Sequence, residues 1–154
     1  MLGSLRLRVV TREDEFEALR RPWNAVLEKS PDRNVFLTWE WHFTWWKHYG
    51  QGKRLSILLV EDDKGIAAIA PLIHTRVGPR IFGVRVLRNM GYNTASYGGI
   101  LLGPRDQESL ALILSHLERE TVRGKAVATI SRERGSPRFV RSANGGGNTG
   151  SGDR

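Results

Sequence analysis

The sequence contains no cysteine, and this excludes several kinds of site at once. Without thiols the chain can form no disulfide framework, no thiolate zinc or iron–sulfur site and no cysteine nucleophile. Its composition is nevertheless that of a folded domain, because 40% of the residues are apolar and 26% are charged. A length of 154 residues suits one domain of ordinary size or half of a larger one.

Long hydrophobic segments are also missing. The longest apolar stretch, residues 67–73, is far too short to span a bilayer. Near the amino terminus, Arg6 and Arg8 fall where a signal peptide requires an uninterrupted apolar run. We therefore expect a cytoplasmic protein without a membrane span.

Acidic residues are scarce in the last part of the chain. Residues 1–120 carry 17 Lys and Arg against 14 Asp and Glu, whereas residues 121–154 carry 7 against 2. Apolar periodicity is lost after Ile130, and residues 145–152 have a flexible-linker composition. The pattern predicts a domain over residues 1–130 and a basic, flexible tail over the rest, 131–154. A basic tail can bind nucleic acid, but the lack of aromatic residues spaced for base stacking argues against that partner.

The start of the domain reads as a strand followed by two short helices. Residues 5–9 alternate leucine or valine with arginine, which predicts a strand with one wet face. Thr11, followed three residues later by Asp14, resembles a capping box that opens a helix. Pro22 is incompatible with a helix interior and therefore predicts a second helix over residues 22–29.

The rest of the domain predicts a β-hairpin and further elements. Residues 55–60 and 66–75 form the hairpin around an Asp-Asp-Lys-Gly turn. Pro71 implies an edge position or a bulge, since it cannot donate a ladder hydrogen bond. The other predicted elements are an extended piece at 35–37, strands at 81–87, 97–102 and 125–130, and helices at 39–49 and 107–120. This order predicts a mixed α/β (α+β) class, with a largely antiparallel sheet flanked by helices.

The helix at 39–49, WEWHFTWWKHY, is the most unusual segment. Its side chains fall into two stripes at helical spacing, Trp39, Phe43 and Trp46 in one and Trp41, Trp45 and His48 in the other. Burial of the two stripes against two sides of the core is the favoured interpretation. The alternative is a platform that stacks on a sugar or peptide, with Trp41 and Trp45 as groove residues. Tyr97 is the best-placed hydroxyl to line such a groove, although core packing is its favoured role.

The other polar residues form no catalytic constellation. The four histidines show no metal-binding spacing with a nearby carboxylate, so no metal site is predicted. Asp62 and Asp63 are typical of a turn. Glu40 could act as a general base near an amine, but at the second position of a helix it more simply favours the helix dipole. Catalytic residues stay unassigned.

Two stretches, residues 35–73 and 86–102, resemble a known family. The residues that carry the resemblance are Phe36, Thr38, Trp39, Glu40, Trp41, Trp45, Trp46, the tetrad Ile69-Ala70-Pro71-Leu72, Leu87, Gly91 and Tyr97. The chain resembles, over about residues 10–120, the amino-terminal half of GNAT-type acyltransferases known as cellulose-biosynthesis-like acetyltransferases. These are relatives of the Fem-type peptidoglycan aminoacyltransferases.

The resemblance implies a GNAT-like half-domain of an N-acyltransferase. Such an enzyme moves an acyl group from acetyl-CoA or another acyl-CoA to an amine acceptor, either a small molecule or a glycan or peptide. In the family the acyl-CoA site lies mainly in a carboxy-terminal half, so this chain would need that missing half or self-association. Truncation or a frameshift after residue 130 is one hypothesis for the unrelated tail. Ser96 stands where an Asp often precedes the family's tyrosine, so no acidic role is carried over.

The sequence also lacks the usual CoA-binding turn. A GNAT pyrophosphate site needs backbone N–H groups from a Gly-rich turn that leads into a helix. The usual signature, Arg/Gln-x-x-Gly-x-Gly/Ala, is missing from the turn at 103–107, and Arg85 occupies its last small position after Arg80 and Gly83. We therefore expect weak acyl-CoA binding by this chain alone. The alternative function is a non-catalytic carbohydrate- or peptide-binding module that uses the Trp-rich helix.

Overall fold

The computed structural model of the chain describes residues 3–92, 99–123 and 127–129. Within these residues one six-stranded sheet is flanked by four α-helices, which confirms the predicted mixed α+β class with a largely antiparallel sheet. In chain order the elements are β1 (Arg6–Val10), α1 (Glu13–Ala18), α2 (Arg20–Lys29), α3 (Trp39–Tyr49), β2 (Arg54–Asp62), β3 (Gly65–Val77), β4 (Val84–Asn89), β5 (Leu101–Leu102), α4 (Asp106–Val122) and β6 (Val127–Thr129).

The strands follow the order β1-β2-β3-β4-β6, and β5 pairs with β3. The described pairings are antiparallel except that of β4 with β6, which is parallel. The predicted hairpin forms β2 and β3, with Asp62 paired to Gly65. The Asp62 carboxylate accepts a hydrogen bond from Lys64 N at 2.8 Å, and Gly65 supplies a φ of +124°. Both features are turn chemistry that the sequence contains.

Helices cover both faces of the sheet, and this explains the apolar runs of β2 and β3. On one face Leu55, Ile57 and Leu59 belong to a core cluster with residues of α1, α2 and α3. On the other face Leu58 and Val60 belong to a second cluster with residues of α4. A strand that is buried on both faces needs apolar side chains at successive positions, not only at alternate ones. Helices α3 and α4 therefore lie on opposite sides of the sheet.

Pro71 lies in the middle of a central strand, so its predicted edge or bulge position is wrong. On one side Pro71 pairs with Ile57 of β2. On the other side the partner strand changes, because Ile69 pairs with β5 and Leu72 pairs with β4. Pro71 O accepts a hydrogen bond from Met90 N at 2.7 Å. The Pro71 nitrogen, which carries no hydrogen, therefore lies at the junction between β4 and β5, where the ladder of backbone hydrogen bonds is already interrupted.

The first two helices meet where Pro22 predicted a break, but their starts differ from expectation. Thr11 does not cap α1, because the helix begins only after Arg12, and no side chain caps it. The predicted capping box is therefore wrong. Helix α2 begins at Arg20, so that Pro22 is its third residue. Proline is tolerated there because the first-turn N–H groups have no partner within the helix.

The segment before α3 forms a 3-10 turn, Val35–Leu37, and the predicted extended piece is wrong. Asn34 Oδ1 accepts a hydrogen bond from Phe36 N at 2.9 Å, and the Thr38 hydroxyl donates to Val35 O at 2.7 Å. These local side-chain bonds tighten the backbone into a turn.

Later boundaries shift by a few residues. Strand β4 begins at Val84 and not at residue 81, because Phe82 N donates to Pro79 O at 3.1 Å in a turn. Of the predicted strand 97–102, the described part is extended only at β5, and residues 97 and 98 lie outside the described residues. Helix α4 extends one residue before and two residues after the predicted 107–120, and β6 lies within the predicted strand 125–130, of which residues 125, 126 and 130 lie outside the described residues.

The predicted tail, residues 131–154, also lies outside the described part of the chain. None of the helices in the described part of the chain is both long enough and apolar enough to cross a bilayer.

Candidate functional site

Helix α3 has the predicted ends, and its own sequence explains both. At its start the Thr38 hydroxyl accepts a hydrogen bond from Trp41 N at 3.2 Å, which satisfies a first-turn donor. Glu40 lies in that turn, where the helix dipole favours an anion. At the other end Gly50 N closes the last turn on Trp46 O at 2.8 Å. Local contacts thus define both ends of the helix.

The buried face of α3 runs between the two predicted stripes. Trp39, His42 and Trp45 are 8%, 0% and 4% exposed. Their aromatic neighbours Trp41, Phe43 and Trp46 are half-buried and pack against the same core. His48, the last member of the second stripe, is exposed. Most of the aromatic surface is therefore used in packing, as expected, but it packs on one core cluster, so the predicted burial against two sides of the core is wrong.

The amino-terminal half of α3 is joined to α1 and α2 by its indoles. Trp39 stacks on Phe43 with ring centroids 4.4 Å apart, and its Nε1 donates to Phe16 O at 2.9 Å. Trp23 Nε1 of α2 donates to Leu37 O, also at 2.9 Å. Both bonds are buried and satisfy backbone carbonyls near helix ends. These tryptophans hold the helices together and are not available to a ligand.

Glu40 is engaged by neighbouring side chains on α2. Its carboxylate accepts hydrogen bonds from Asn24 Nδ2 at 3.1 Å and from Arg20 Nε at 3.0 Å. The hydrogen bond from Asn24, followed by the helix backbone and Arg20, lowers the pKa of Glu40 below its ordinary value. A carboxylate with a lowered pKa is a weaker base, so the helix-dipole role describes Glu40 better than general-base catalysis.

The two predicted groove residues lie together at the turn that follows β4. Trp41 packs edge-on against Phe36 at 5.7 Å and covers Gly91, where a Cβ atom would overlap its ring. Trp45 lies between Tyr49 and Tyr92, with centroid distances of 5.6 and 6.4 Å. Trp45 itself is buried in the core. The third predicted groove residue, Tyr97, lies outside the described residues.

The accessible part of this region is formed by two tyrosines that the sequence analysis did not single out. Tyr49 is 51% exposed and Tyr92 is 40% exposed. The Arg88 guanidinium lies 4.8 Å from the centre of the Tyr92 ring, a cation–π distance. The available signals were weak, since Tyr49 only precedes a helix-ending glycine and Tyr92 only follows Gly91. We call Trp41, Trp45, Tyr49, Arg88 and Tyr92 the aromatic edge.

One donor and one acceptor on α3 are buried beside this edge without a hydrogen-bond partner among the described residues. They are Trp45 Nε1 and His42 Nε2, and they lie one helical turn apart. His42 Nδ1 lies 2.9 Å from Thr38 O, which can only accept, so Nδ1 carries the proton and Nε2 presents a lone pair. Burial lowers the pKa of His42 to about 4. The imidazole is therefore neutral at physiological pH.

The N-terminus of α4, the candidate CoA turn of the sequence, is occupied by the protein itself. Gly103 N donates to Ala67 O at 3.0 Å, and Asp106 and Glu108 lie in the first turn of the helix. Arg105 donates to Glu108 at 2.5 Å and to Gly3 O at 2.8 Å. Carboxylates at the positive end of a helix disfavour a pyrophosphate there.

The other candidates within the described residues are a metal centre and a surface recess. No group of three or more His, Asp or Glu side chains is placed to hold a metal ion there. A shallow surface recess of about 420 Å³ lies along the end of α4, between Ser115 and Arg123. It is open and is lined by exposed charged side chains. The aromatic edge, with its buried donor and acceptor, is the better candidate.

Comparison with known proteins adds no assignment. No family model matches the sequence, and no curated protein matches it. The resemblance to GNAT-type acyltransferases therefore stays a prediction that rests on the residues quoted above.

Proposed function

We propose that the chain is the amino-terminal part of a GNAT-type N-acyltransferase, in which the aromatic edge contributes to the groove for the amine acceptor. A cytoplasmic location, where acyl-CoA is available, forms part of this proposal. The chain is expected to be incomplete as a catalyst by itself.

One observation carries the proposal. The two stretches that resemble the family contact each other at the aromatic edge, through residues that lie more than forty positions apart in sequence. Trp41 covers Gly91, and Trp45 packs against Tyr92. Trp41, Trp45 and Gly91, which carry the resemblance in both stretches, thus lie in one region of the structure. A packing role alone would not require that the exposed tyrosines Tyr49 and Tyr92 flank the same indole.

The chemistry of acceptor binding fits this surface. Aromatic faces stack on sugar rings and on peptide groups, and tyrosine hydroxyls can donate or accept a hydrogen bond. Positioning of the acceptor amine next to the thioester is a large part of the catalytic effect in such a transfer. In this proposal the aromatic edge supplies positioning, and the base and the oxyanion donors come from elsewhere.

The acyl-CoA site is assigned to a partner of this chain. Glycine-rich donors are absent from the α4 turn, and its first turn carries Asp106 and Glu108. A carboxy-terminal GNAT half, or a second copy of the chain, would have to supply the pyrophosphate and pantetheine contacts.

Calorimetry with acetyl-CoA tests whether the acyl-CoA site requires a partner of this chain. The full chain alone is expected to give only heats of dilution. The chain mixed with a GNAT half encoded in the neighbouring DNA is expected to bind acetyl-CoA and to acetylate an amino sugar or a peptide amine. The proposal fails if no frame of that DNA encodes such a half and the chain, as monomer or dimer, does not bind acetyl-CoA.

A carbohydrate- or peptide-binding module without catalysis is the second candidate. It is favoured by the exposed rings of Tyr49 and Tyr92 beside the buried Trp45. Titration of oligosaccharides and peptides against tryptophan fluorescence detects such binding. A ligand that saturates without any acyl transfer in the reconstituted mixture would favour the module.

A further inference from the structure

The turn between β3 and β4 exposes a cluster of large apolar side chains. Ile81 and Phe82 are 84% and 81% exposed, and Val77 and Val84, which pair across the two strands, are 45% and 54% exposed. We call these four residues the hairpin tip. Soluble proteins rarely expose clustered apolar side chains, and such clusters often mark an interaction surface.

The backbone holds the hairpin tip in a defined turn. Gly78 adopts a φ of +103°, and Phe82 N donates to Pro79 O at 3.1 Å. A Cβ atom at Gly83 would approach Pro79 O to 3.1 Å, so the turn is tight. Ile81 and Phe82 are therefore presented by a compact turn and are not covered by neighbouring side chains.

The strands and turn that form the tip carry charge of a single sign. No Asp or Glu occurs between Asp63 and Asp106. Arg76 and Arg85 pair with each other across β3 and β4, and both are exposed, as is Arg80. Like charges directly opposite in a ladder repel each other.

Within the described residues no carboxylate lies within 4.0 Å of these three guanidinium groups. An external anionic surface would relieve this repulsion.

We propose that the hairpin tip docks on an anionic lipid surface, with Ile81 and Phe82 entering the headgroup region and the three arginines contacting the lipid headgroups. A lipid interface takes apolar side chains and cations together. The phosphate backbone of a nucleic acid duplex would contact the arginines but would not bury Ile81 and Phe82 together. The protein would be held at the membrane surface and would not span it.

Cosedimentation with vesicles tests the proposal on the full chain. Vesicles of phosphatidylcholine alone are compared with vesicles of equal parts phosphatidylcholine and phosphatidylserine. The chain is expected to pellet only with the second kind, and added salt is expected to weaken binding. Ile81→Ser with Phe82→Ser should weaken binding about tenfold or more. Arg80→Gln with Arg85→Gln should weaken it about fivefold for each arginine.

Matched variants separate the tip from general charge and hydrophobicity. Val35→Ser removes another exposed apolar side chain, which is 61% exposed. Arg21→Gln with Arg33→Gln removes the same charge from another surface. All variants keep the basic residues 131–154, so the tail contributes equally. The control variants are expected to bind as the parent does.

Two outcomes would overturn the proposal. Equal loss of binding in the tip and control variants would mean that net charge alone attracts the vesicles. A parent chain that does not bind vesicles but dimerises by light scattering, with the dimer lost in the Ile81→Ser, Phe82→Ser variant, would assign the tip to a protein contact. Neither result would affect the proposed acyltransferase role, which is tested by calorimetry.

Discussion

The Trp41 ring occupies the space that a side chain at position 91 would need, and Gly91 has a φ of +82°. The turn after β4 and the middle of α3 therefore depend on the same glycine. Both sterics and backbone conformation exclude other residues there.

Gly91→Ala is expected to destabilise the protein by about 2–4 kcal/mol, because a left-handed backbone costs about 1 kcal/mol and overpacking against the indole adds 1–3 kcal/mol. Gly52 is the matched control, since it has a φ of +74° but nothing within 4 Å of an added Cβ. Gly52→Ala should cost about 1 kcal/mol. Urea unfolding of the two variants measures both values, and equal costs would contradict the close approach of Trp41.

His42 predicts a pH-dependent stability. Its ordinary pKa of 6.5 is lowered to about 4 by burial, so the unfolded chain takes up a proton where the native protein does not. The free energy of unfolding should therefore fall by about 3 kcal/mol as the pH drops from 6.5 to 4. Below that range of pH the carboxylates add further losses.

The measurement is urea unfolding at several pH values in the parent and in His42→Phe. The variant should be less stable near neutral pH but should show a flatter slope. Burial, together with Arg54, also lowers the pKa of His74, which gives a smaller slope of the same sign in both proteins. Identical slopes of stability against pH in parent and variant would show that burial does not lower the pKa of His42.

The tryptophans should differ in what their N–H groups contribute. Trp23→Phe leaves the buried Leu37 O without its donor and is expected to cost about 1–3 kcal/mol from that loss alone. Trp46 Nε1 donates instead to the exposed Glu13 carboxylate at 2.9 Å. The same change at Trp46 should therefore cost less from hydrogen bonding, about 1 kcal/mol or below. Thermal unfolding of the two phenylalanine variants compares them, and the reverse order would exclude the structural role given to Trp23.

The aromatic edge should bind ligand through its exposed rings. Once an acceptor or glycan ligand is found, Tyr92→Ala and Tyr49→Ala should each weaken binding by about three- to tenfold, the value of one aromatic contact. Phe82→Ala removes an exposed aromatic ring at the opposite end of β4 and serves as the control. Fluorescence titration gives the affinities. Unchanged affinity in both tyrosine variants would remove the aromatic edge as the site.

The sequence was most informative where local chemistry is decisive. Thr38 and Gly50 predicted both ends of α3, and the Asp62–Gly65 turn predicted the hairpin, because caps and tight turns are satisfied by neighbours in sequence. It was least informative at Thr11 and at residues 35–37. At residues 35–37 local bonds from the side chains of Asn34 and Thr38 form a turn and not an extended segment, and at α1 the N-cap position is Arg12, one residue after the expected cap.

The candidate site was likewise predicted only in part. Periodicity identified an aromatic helix and named Trp41 and Trp45, but it did not indicate that their common neighbours would be Gly91 and Tyr92. That contact joins segments separated by more than forty residues, and it depends on where β4 ends beneath α3. Sequence alone determined most of the helices and strands, the ends of α3 and the basic character of the chain. Only the tertiary structure decided which aromatic rings are buried and which face solvent, because burial depends on neighbours that the chain brings together only after folding.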